Sequence, residues 1–345
     1  MALTEIADLW TPAVWIQGAN EKARAFPSLM NSSAVVRSPL LDSIAAGPGV
    51  SANVPFFKDV SDDADGIQVE NSAPTPKEIT SGTQICTILN RVIAYNNTGL
   101  SAAVAGAEPV DAILSMIGPR RMKGQQSTAI ATLRGAFGGG DDASGSASEL
   151  TSMRVEAFSE TGANPPDSNK MSADLFIVAK ALLGEFADNL AGGAILTHPN
   201  IVAQLEILDK ESFKDGVESG LGFTVRTYKG IPIFTSRLLV RAGTVSGYVY
   251  ETYVLSAGVL AVGFKPQGSA VGEVAALQLD LTQISTNNIA LYDRTRYLVH
   301  LNGMKWVGTA AGQSATDAEL ADIANWDLAY SSADRVGGVL IRTNG

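Results

Sequence analysis

The sequence predicts an α+β fold, in which long strands and helices share the chain without a repeating strand–helix–strand order. Three stretches carry this expectation. Residues 172 to 190 place Leu175, Ala179, Leu182, Leu183, Phe186 and Leu190 on one face at helical spacing. GVSANVPFF, from Gly49, alternates Val50, Ala52, Val54 and Phe56 at period two, as a strand does. The run GEVAALQLDLTQISTNNIALYDRTRYLVHLNGMKW reads as long strands, with Arg294, Arg296, Leu298 and His300 on one face.

Composition bounds the rest. The 345 residues suffice for roughly two ordinary domains. Apolar residues make up 46%, enough for real cores, whereas charged residues are only 17%. A surface so poor in charge, on a chain with 34 glycines, suits a protein whose faces are covered by partners. The net charge of −10 argues against tight DNA binding, which rests on Lys and Arg neutralising phosphates. A single cysteine, Cys86, excludes an internal disulfide framework and fits a reducing compartment. Residues 1 to 20 lack the basic start and apolar core of a signal peptide, and no run approaches eighteen apolar residues; no membrane is expected as a partner.

Taken in order, residues 1 to 49 read as an arm. Short apolar pieces, with Trp10 and Trp15 among them, are interrupted by Pro12, Pro27, Pro39 and Gly47-Pro48-Gly49. The strand from Val50 is followed by VSDDADGIQVENSAPTPKEIT, acidic, proline-containing and nearly coreless. Loops of this length inside compact domains either have a function or are disordered. ICTILNRVIAY fits helical spacing through Ile85, Ile88, Leu89, Val92 and Ile93 but has the β-branched content of a strand, and periodicity leaves both open. Gly118-Pro119 should break or kink any preceding helix, with Pro119 at a first helical position. From there Met122, Gln126, Ala129, Ile130, Leu133 and Phe137 form a helical stripe closed by Gly138-Gly139-Gly140. Ser172 caps the helix over 172 to 190. AILT then forms a short strand, and a helix starts at Pro199 and carries Ile201, Val202, Leu205 and Leu208. FTVRTYKGIPIFTS and GYVYETYVLSAGVLAVGF read as strands and turns. Thr316 and Glu319 form a capping box before Leu320, Ile323 and Ala324, and VGGVLIRT closes the chain as a strand.

Catalytic chemistry needs convergent titratable groups or a cofactor cradle. His198 and His300 have no second histidine at metal-ligand spacing, and Cys86 has no cysteine partner. No nucleophile elbow or phosphate loop occurs. Gly47, Gly49 and Ala52 imitate a dinucleotide fingerprint, but VPFF follows instead of a helix. Asp62, Asp63 and Asp65 lack the Gly and distal Glu of a calcium loop. Catalytic residues, cofactor and metal are therefore all expected to be absent. Arg120, Arg121 and Lys123 form the one tight basic cluster, read either as a solvated helix face or as a contact with an acidic partner or packaged nucleic acid.

The order of these pieces resembles the major capsid protein of tailed bacteriophages. VPFFKDVSD and PTPKEITSGTQI resemble the entry and return of that family's extended loop. GAILTHPNIVAQLEILD resembles its axial strand and helix, and FTVRTYKGIPIFTSRLL its hairpin near the capsomer axis. DRTRYLVHLNGMKWVG is similar to its strand bearing Arg, His, Gly and Trp, here Arg294 or Arg296, His300, Gly303 and Trp306. TDAELADIANWDLAY resembles its C-terminal helix. The resemblance implies an N-terminal arm over 1–49, an extended β-hairpin loop over 50–98, and a peripheral domain with a long spine helix over 99–170. It further implies an axial domain over 171–264, return strands of the peripheral domain over 265–308, and a C-terminal helix and strand over 309–345, joining the axial domain.

The function so implied is self-assembly into pentamers and hexamers of an icosahedral shell around double-stranded DNA. A cellular nanocompartment of the encapsulin type is the alternative, and an enzyme the third reading. Implied partners are further copies of the chain, a separate scaffolding protein because no long segment precedes the arm, a portal protein, DNA held without sequence preference, and a decoration protein. The place is the virion capsid, assembled in host cytoplasm. Candidate inter-subunit contacts are Trp10, Trp15, Lys58, Asp62, Asp63, Glu70, Lys77, Arg120 and Arg121. Some relatives cross-link a loop lysine to a neighbour's asparagine. Lys58 and Lys77 lie in this loop, but no acceptor and catalytic carboxylate match residue by residue, so that activity is not carried over.

Overall fold

The structure, a computed structural model, describes residues 29–60, 67, 76–98, 109–139, 149–162, 164–219, 223–265, 277–280 and 288–345. The described part of the arm is folded onto the body. Leu29 and Ala34 are fully buried, β1 (Val35–Arg37) pairs in a sheet, and α1 (Pro39–Ala46) starts on a proline at its first turn. The hairpin strands β2 (Ser51–Phe57) and β3 (Ser81–Thr87) pair antiparallel from Ser51↔Thr87 to Phe57↔Ser81. ICTILNRVIAY resolves as strand: it ends β3 and continues as β4 (Leu89–Thr98).

The expected break at Pro119 does not occur. Helix α2 runs from Pro109 to Phe137 with Pro119 inside it, about 43 Å at 1.5 Å per residue. A proline deletes one helical hydrogen bond at a cost of about 3 kcal/mol. Here buried Ile117 on one side, and Arg120 and Arg121 bonded to Asp293 on the other, hold the turns in place. The expected stripe is inward: Gln126, Ala129, Ile130, Leu133 and Phe137 are buried, and Met122 is half-buried. Gly135 lets a neighbouring segment lie against the helix, since a Cβ there would stand 2.1 Å from the Leu320 carbonyl oxygen.

Strands β5 (Arg154–Ala157) and β6 (Thr161–Gly162) precede α3 (Ala173–Leu182), which Ser172 caps by accepting from Leu175 N–H. The helix expected to reach residue 190 stops at Leu182. Gly184, at φ +54°, takes a left-handed conformation that ends α-helices, and the chain continues as a 3₁₀ helix from Gly184 to Gly192. Leu183 and Leu190 are still buried, so the apolar spacing was satisfied by a tighter backbone. Next come β7 (Ala194–Thr197), α4 (Pro199–Leu208), β8 (Phe213–Ser219), β9 (Phe223–Tyr228) and β10 (Ile231–Thr235). Lys229 and Gly230, both at positive φ, make the turn from β9 into β10. The chain then forms β11 (Val240–Ala242), β12 (Ser246–Leu255), β13 (Leu260–Phe264), β14 (Leu277–Asp280), β15 (Asn288–Leu301) and β16 (Met304–Trp306).

The capping box at Thr316 and Glu319 is present, but its helix α5 (Asp317–Ala321) is short. Asp322 accepts from Ala324 N–H and starts a new 3₁₀ turn, and Asn325 takes the Glu319 carbonyl, so the chain cannot continue as α-helix. The strands β17 (Trp326–Leu328) and β18 (Gly338–Thr343) follow.

Two larger sheets organise the chain. One has the order β1-β13-β15-β14, with β4 also paired to β15; the other runs β5-β18-β12-β7-β10-β9-β8, with β6 and β11 paired to β12. The main core joins side chains of α2, α3 and both sheets, while Leu41, Ala45, Cys86, Ala261 and Leu298 form a smaller cluster beneath α1.

Candidate inter-subunit surface

The β2–β3 hairpin is a two-stranded sheet of its own. Seven-residue strands extend about 23 Å, and an isolated two-stranded hairpin is marginal in water. Its inner end is anchored. Gln84, buried on β3, accepts from His300 Nε2–H at 2.8 Å and from Gly303 N–H at 3.3 Å. Phe56 meets Tyr330 edge-on at 5.3 Å, and Asp59 pairs with Arg335. Farther out the apolar groups face solvent: Phe57 is 79% exposed, Ile67 92% and Ile79 65%. Among the described residues the hairpin is thus rooted in the body and exposes apolar side chains beyond its root.

His300 makes the root sensitive to acid. Burial pushes its pKa down to about 4, so the folded chain holds it neutral while the unfolded chain protonates near 6.5. The sign follows: the contribution is complete above about pH 6.5 and is lost as pH falls toward 4, by about 1.4 kcal/mol per unit and about 3 kcal/mol in total. Urea unfolding of free subunits from pH 7 to pH 4.5 should show this slope, and His300→Gln should flatten it. Equal slopes in both proteins would refute the assignment.

The second feature lies where α2 crosses β15. Asp293, fully buried, accepts from Arg120 at 3.0 Å through Oδ2 and from Arg121 at 3.0 Å through Oδ1. On β4, Arg91 reaches Asp317 at 2.8 Å, and Thr128 bonds the Tyr297 hydroxyl at 3.0 Å. The two arginines of α2, Arg91, Asp317, Thr128 and Tyr297, with Val92, Gly124, Gln125 and Thr295, line a cleft of about 190 Å³. Within the basic cluster Arg120 and Arg121 are ion-paired inside the chain, while Arg120 and Lys123 are also exposed, as a solvated helix face would be.

The far end of α2 is clamped to the other sheet. Glu251 on β12, with no exposure, takes both Nε bonds of Arg134 at 3.0 and 2.8 Å and the Tyr253 hydroxyl at 3.1 Å. Sequence reasoning missed both Asp293 and Glu251. The signal was available: a lone carboxylate inside an apolar strand, as in YVYETYVL, calls for a buried cation.

Lys58 and Lys77 are exposed on the limbs of the loop, and Lys58 N–H bonds the Thr80 carbonyl. Trp10, Trp15, Asp62, Asp63 and Glu70 lie outside the described residues. His198 caps α4, its Nδ1 accepting from Asn200 N–H at 3.2 Å. Cys86 is buried, which raises its thiol to about 12 and removes its nucleophilic form. Among the described residues no group of three or more His, Cys, Asp or Glu could hold a metal, and no helix is long and apolar enough to cross a membrane.

No family model matches the chain. It is similar to the major capsid protein of Bacillus phage SPP1, 26% identical over 341 residues, covering 96% of this chain and 95% of the relative. In structure it resembles the capsid of Ralstonia phage GP4, with a TM-score of 0.59 at 8% identity over 100% of this chain and 98% of the other. The cyanophage Pam1 capsid follows at 0.56 and 10% identity, over 96% and 98%. The chain has the tailed-phage capsid fold. The mature capsid of bacteriophage PhiM1 shares that capsid fold, at 0.53 and 9% identity over 94% and 90%. The match to this major capsid protein runs over nearly the whole of both chains. The sequence led us to expect an extended hairpin and a long helix, and the structure has a two-stranded hairpin, β2–β3, and a 29-residue helix, α2.

Proposed function

We propose that this protein is the major capsid protein of a tailed phage, forming pentamers and hexamers of an icosahedral shell around double-stranded DNA. The observation that carries the reading is the hairpin, rooted in the body and apolar beyond its root, in a chain homologous over nearly its whole length to a phage major capsid protein. Closed shells need each subunit to hold several neighbours through repeated contacts. The proposed division runs from an arm (1–49) and extended loop (50–98) through a peripheral domain (99–170, with return strands 265–308) to an axial domain (171–264), which the 309–345 segment rejoins. Its proposed partners are copies of itself, a separate scaffolding protein, a portal protein and a decoration protein, with assembly in host cytoplasm. At a net charge of −10, the shell contains DNA without binding it tightly.

Electron microscopy of the purified protein, expressed with its scaffolding protein, tests this. Closed icosahedral particles are expected, and virions should carry the chain around DNA. Failure to form any particle, or particles filled with a cargo enzyme, would overturn the reading. The shells should also be held non-covalently: boiled in detergent, they should run as one band near 36.0 kDa, whereas a ladder under reducing conditions would reveal cross-linking.

A further inference from the structure

We propose that the cleft between α2 and the β4–β15 face binds a small phosphate-bearing anion, either inorganic phosphate or the phosphate of a nucleotide. The inference stands on the cleft itself and goes beyond the shell reading.

The cleft gathers positive charge on an acidic chain. Asp293, Thr295 and Tyr297 share one face of β15, and Arg91 pairs directly with Thr295 from β4, so its side chain rises on the same face. Arg120, Arg121 and Thr128 face it from α2. Three arginines thus line the cleft against one lining carboxylate, Asp317, whose oxygens already accept from Arg91, Thr128 and Ser127. Buried Asp293 takes Arg120 through Nη1 alone and Arg121 through Nε and Nη2. Nε and Nη2 of Arg120, and Nη1 of Arg121, therefore keep N–H donors with no partner among the described residues. A guanidinium fork matches phosphate oxygens, and a tetrahedral anion has enough of them to take two arginines at once.

Gly124 is an independent observation. It lines the cleft from inside α2, where glycine is the least favourable residue after proline, and it is exposed. A Cβ there would meet no atom within 4 Å, so packing among the described residues does not call for a glycine, whereas at Gly135 the Leu320 carbonyl does. The bare backbone at Gly124 keeps the cleft open beside the arginines, as glycine does where a ligand comes close. The volume, about 190 Å³, suits a phosphate group with a few waters at about 30 Å³ each, and is far too small for a nucleic-acid duplex.

Calorimetric titration and thermal unfolding of free subunits test this. The probes are inorganic phosphate, adenosine monophosphate and a duplex oligonucleotide, each compared with sodium chloride at equal ionic strength. Wild type should bind inorganic phosphate, the monophosphate or both saturably, and unfold at a higher temperature in their presence; which of the two acts names the source of the phosphate. Gly124→Leu fills the opening with a good helix former, so it should unfold no lower than wild type yet lose the response. Arg120→Gln, which leaves Arg121 on Asp293, should weaken binding about tenfold or more, the loss of a charged hydrogen bond. Equal responses in wild type and Gly124→Leu, the mark of general salt exclusion, would overturn the proposal, as would no response beyond the chloride control. A response to the oligonucleotide alone would overturn it in favour of the DNA backbone. All of these are read on subunits, so closed wild-type particles would still uphold the shell reading.

Discussion

Replacing residues 60–78 with a short Gly-containing turn leaves a folded subunit that no longer closes into shells. The replaced stretch begins beyond the Phe56–Tyr330 contact and the Asp59–Arg335 pair, and its apolar members among the described residues face solvent: Val60 is 49% exposed and Ile67 92%. Neither α2 nor α3 draws its buried stripe from it. Loop-closure entropy changes slowly with length, by about 0.6 kcal/mol per doubling, so the subunit's stability should shift by no more than about 1 kcal/mol. Assembly loses a contact repeated at every subunit, and shells should vanish from micrographs. Exposed loop tips are also the preferred sites of proteolysis. In wild type, cleavage within 60–78 should be fast in free subunits and slow in shells. Truncated protein that still forms closed shells would remove the inter-subunit role, and truncated protein with no cooperative unfolding transition would place the stretch in the core.

Arg134→Met should be the most damaging single change to the free subunit. It strands Glu251, which has no exposure and would keep only the Tyr253 hydroxyl as a donor. Breaking a buried ion pair from one side costs about 3–5 kcal/mol, a large part of the roughly 5–15 kcal/mol that holds a domain together. Replacing both partners, as Arg134→Met with Glu251→Leu, should recover most of the loss, because an apolar pair needs no desolvation. Urea midpoints of the three proteins decide it. A single variant within 1 kcal/mol of wild type would mean that Glu251 does not depend on this arginine.

Much of the fold was legible in the sequence because one-sided burial writes itself as periodicity. The α2 stripe from Gln126 to Phe137, the Thr316 capping box and the period-two strand before the acidic loop all appear where the residues placed them. Departures came where tertiary contacts overrule local preference. Asp293 and Ile117 carry α2 through Pro119, Gly184 tightens the helix after Leu182, and β15 claims β4 from a segment that equally fitted a helix. The candidate surface was legible only in part. An acidic, coreless stretch between two strands announces an arm in one dimension. The cleft does not, because Arg91, Arg120 and Tyr297 are far apart in sequence and only the crossing of β4, α2 and β15 assembles them.

Two buried carboxylates, one from each large sheet, hold α2. Asp293 fastens one sheet near Arg120 and Glu251 fastens the other at Arg134, about 21 Å apart along the helix at 1.5 Å per residue. A helix bolted to a different sheet at each point acts as a strut, and neither sheet can swivel about it without stripping a carboxylate of its cation. If the proposed shell places identical subunits in rings of five and rings of six, the change of angle between neighbours is taken up outside this strut.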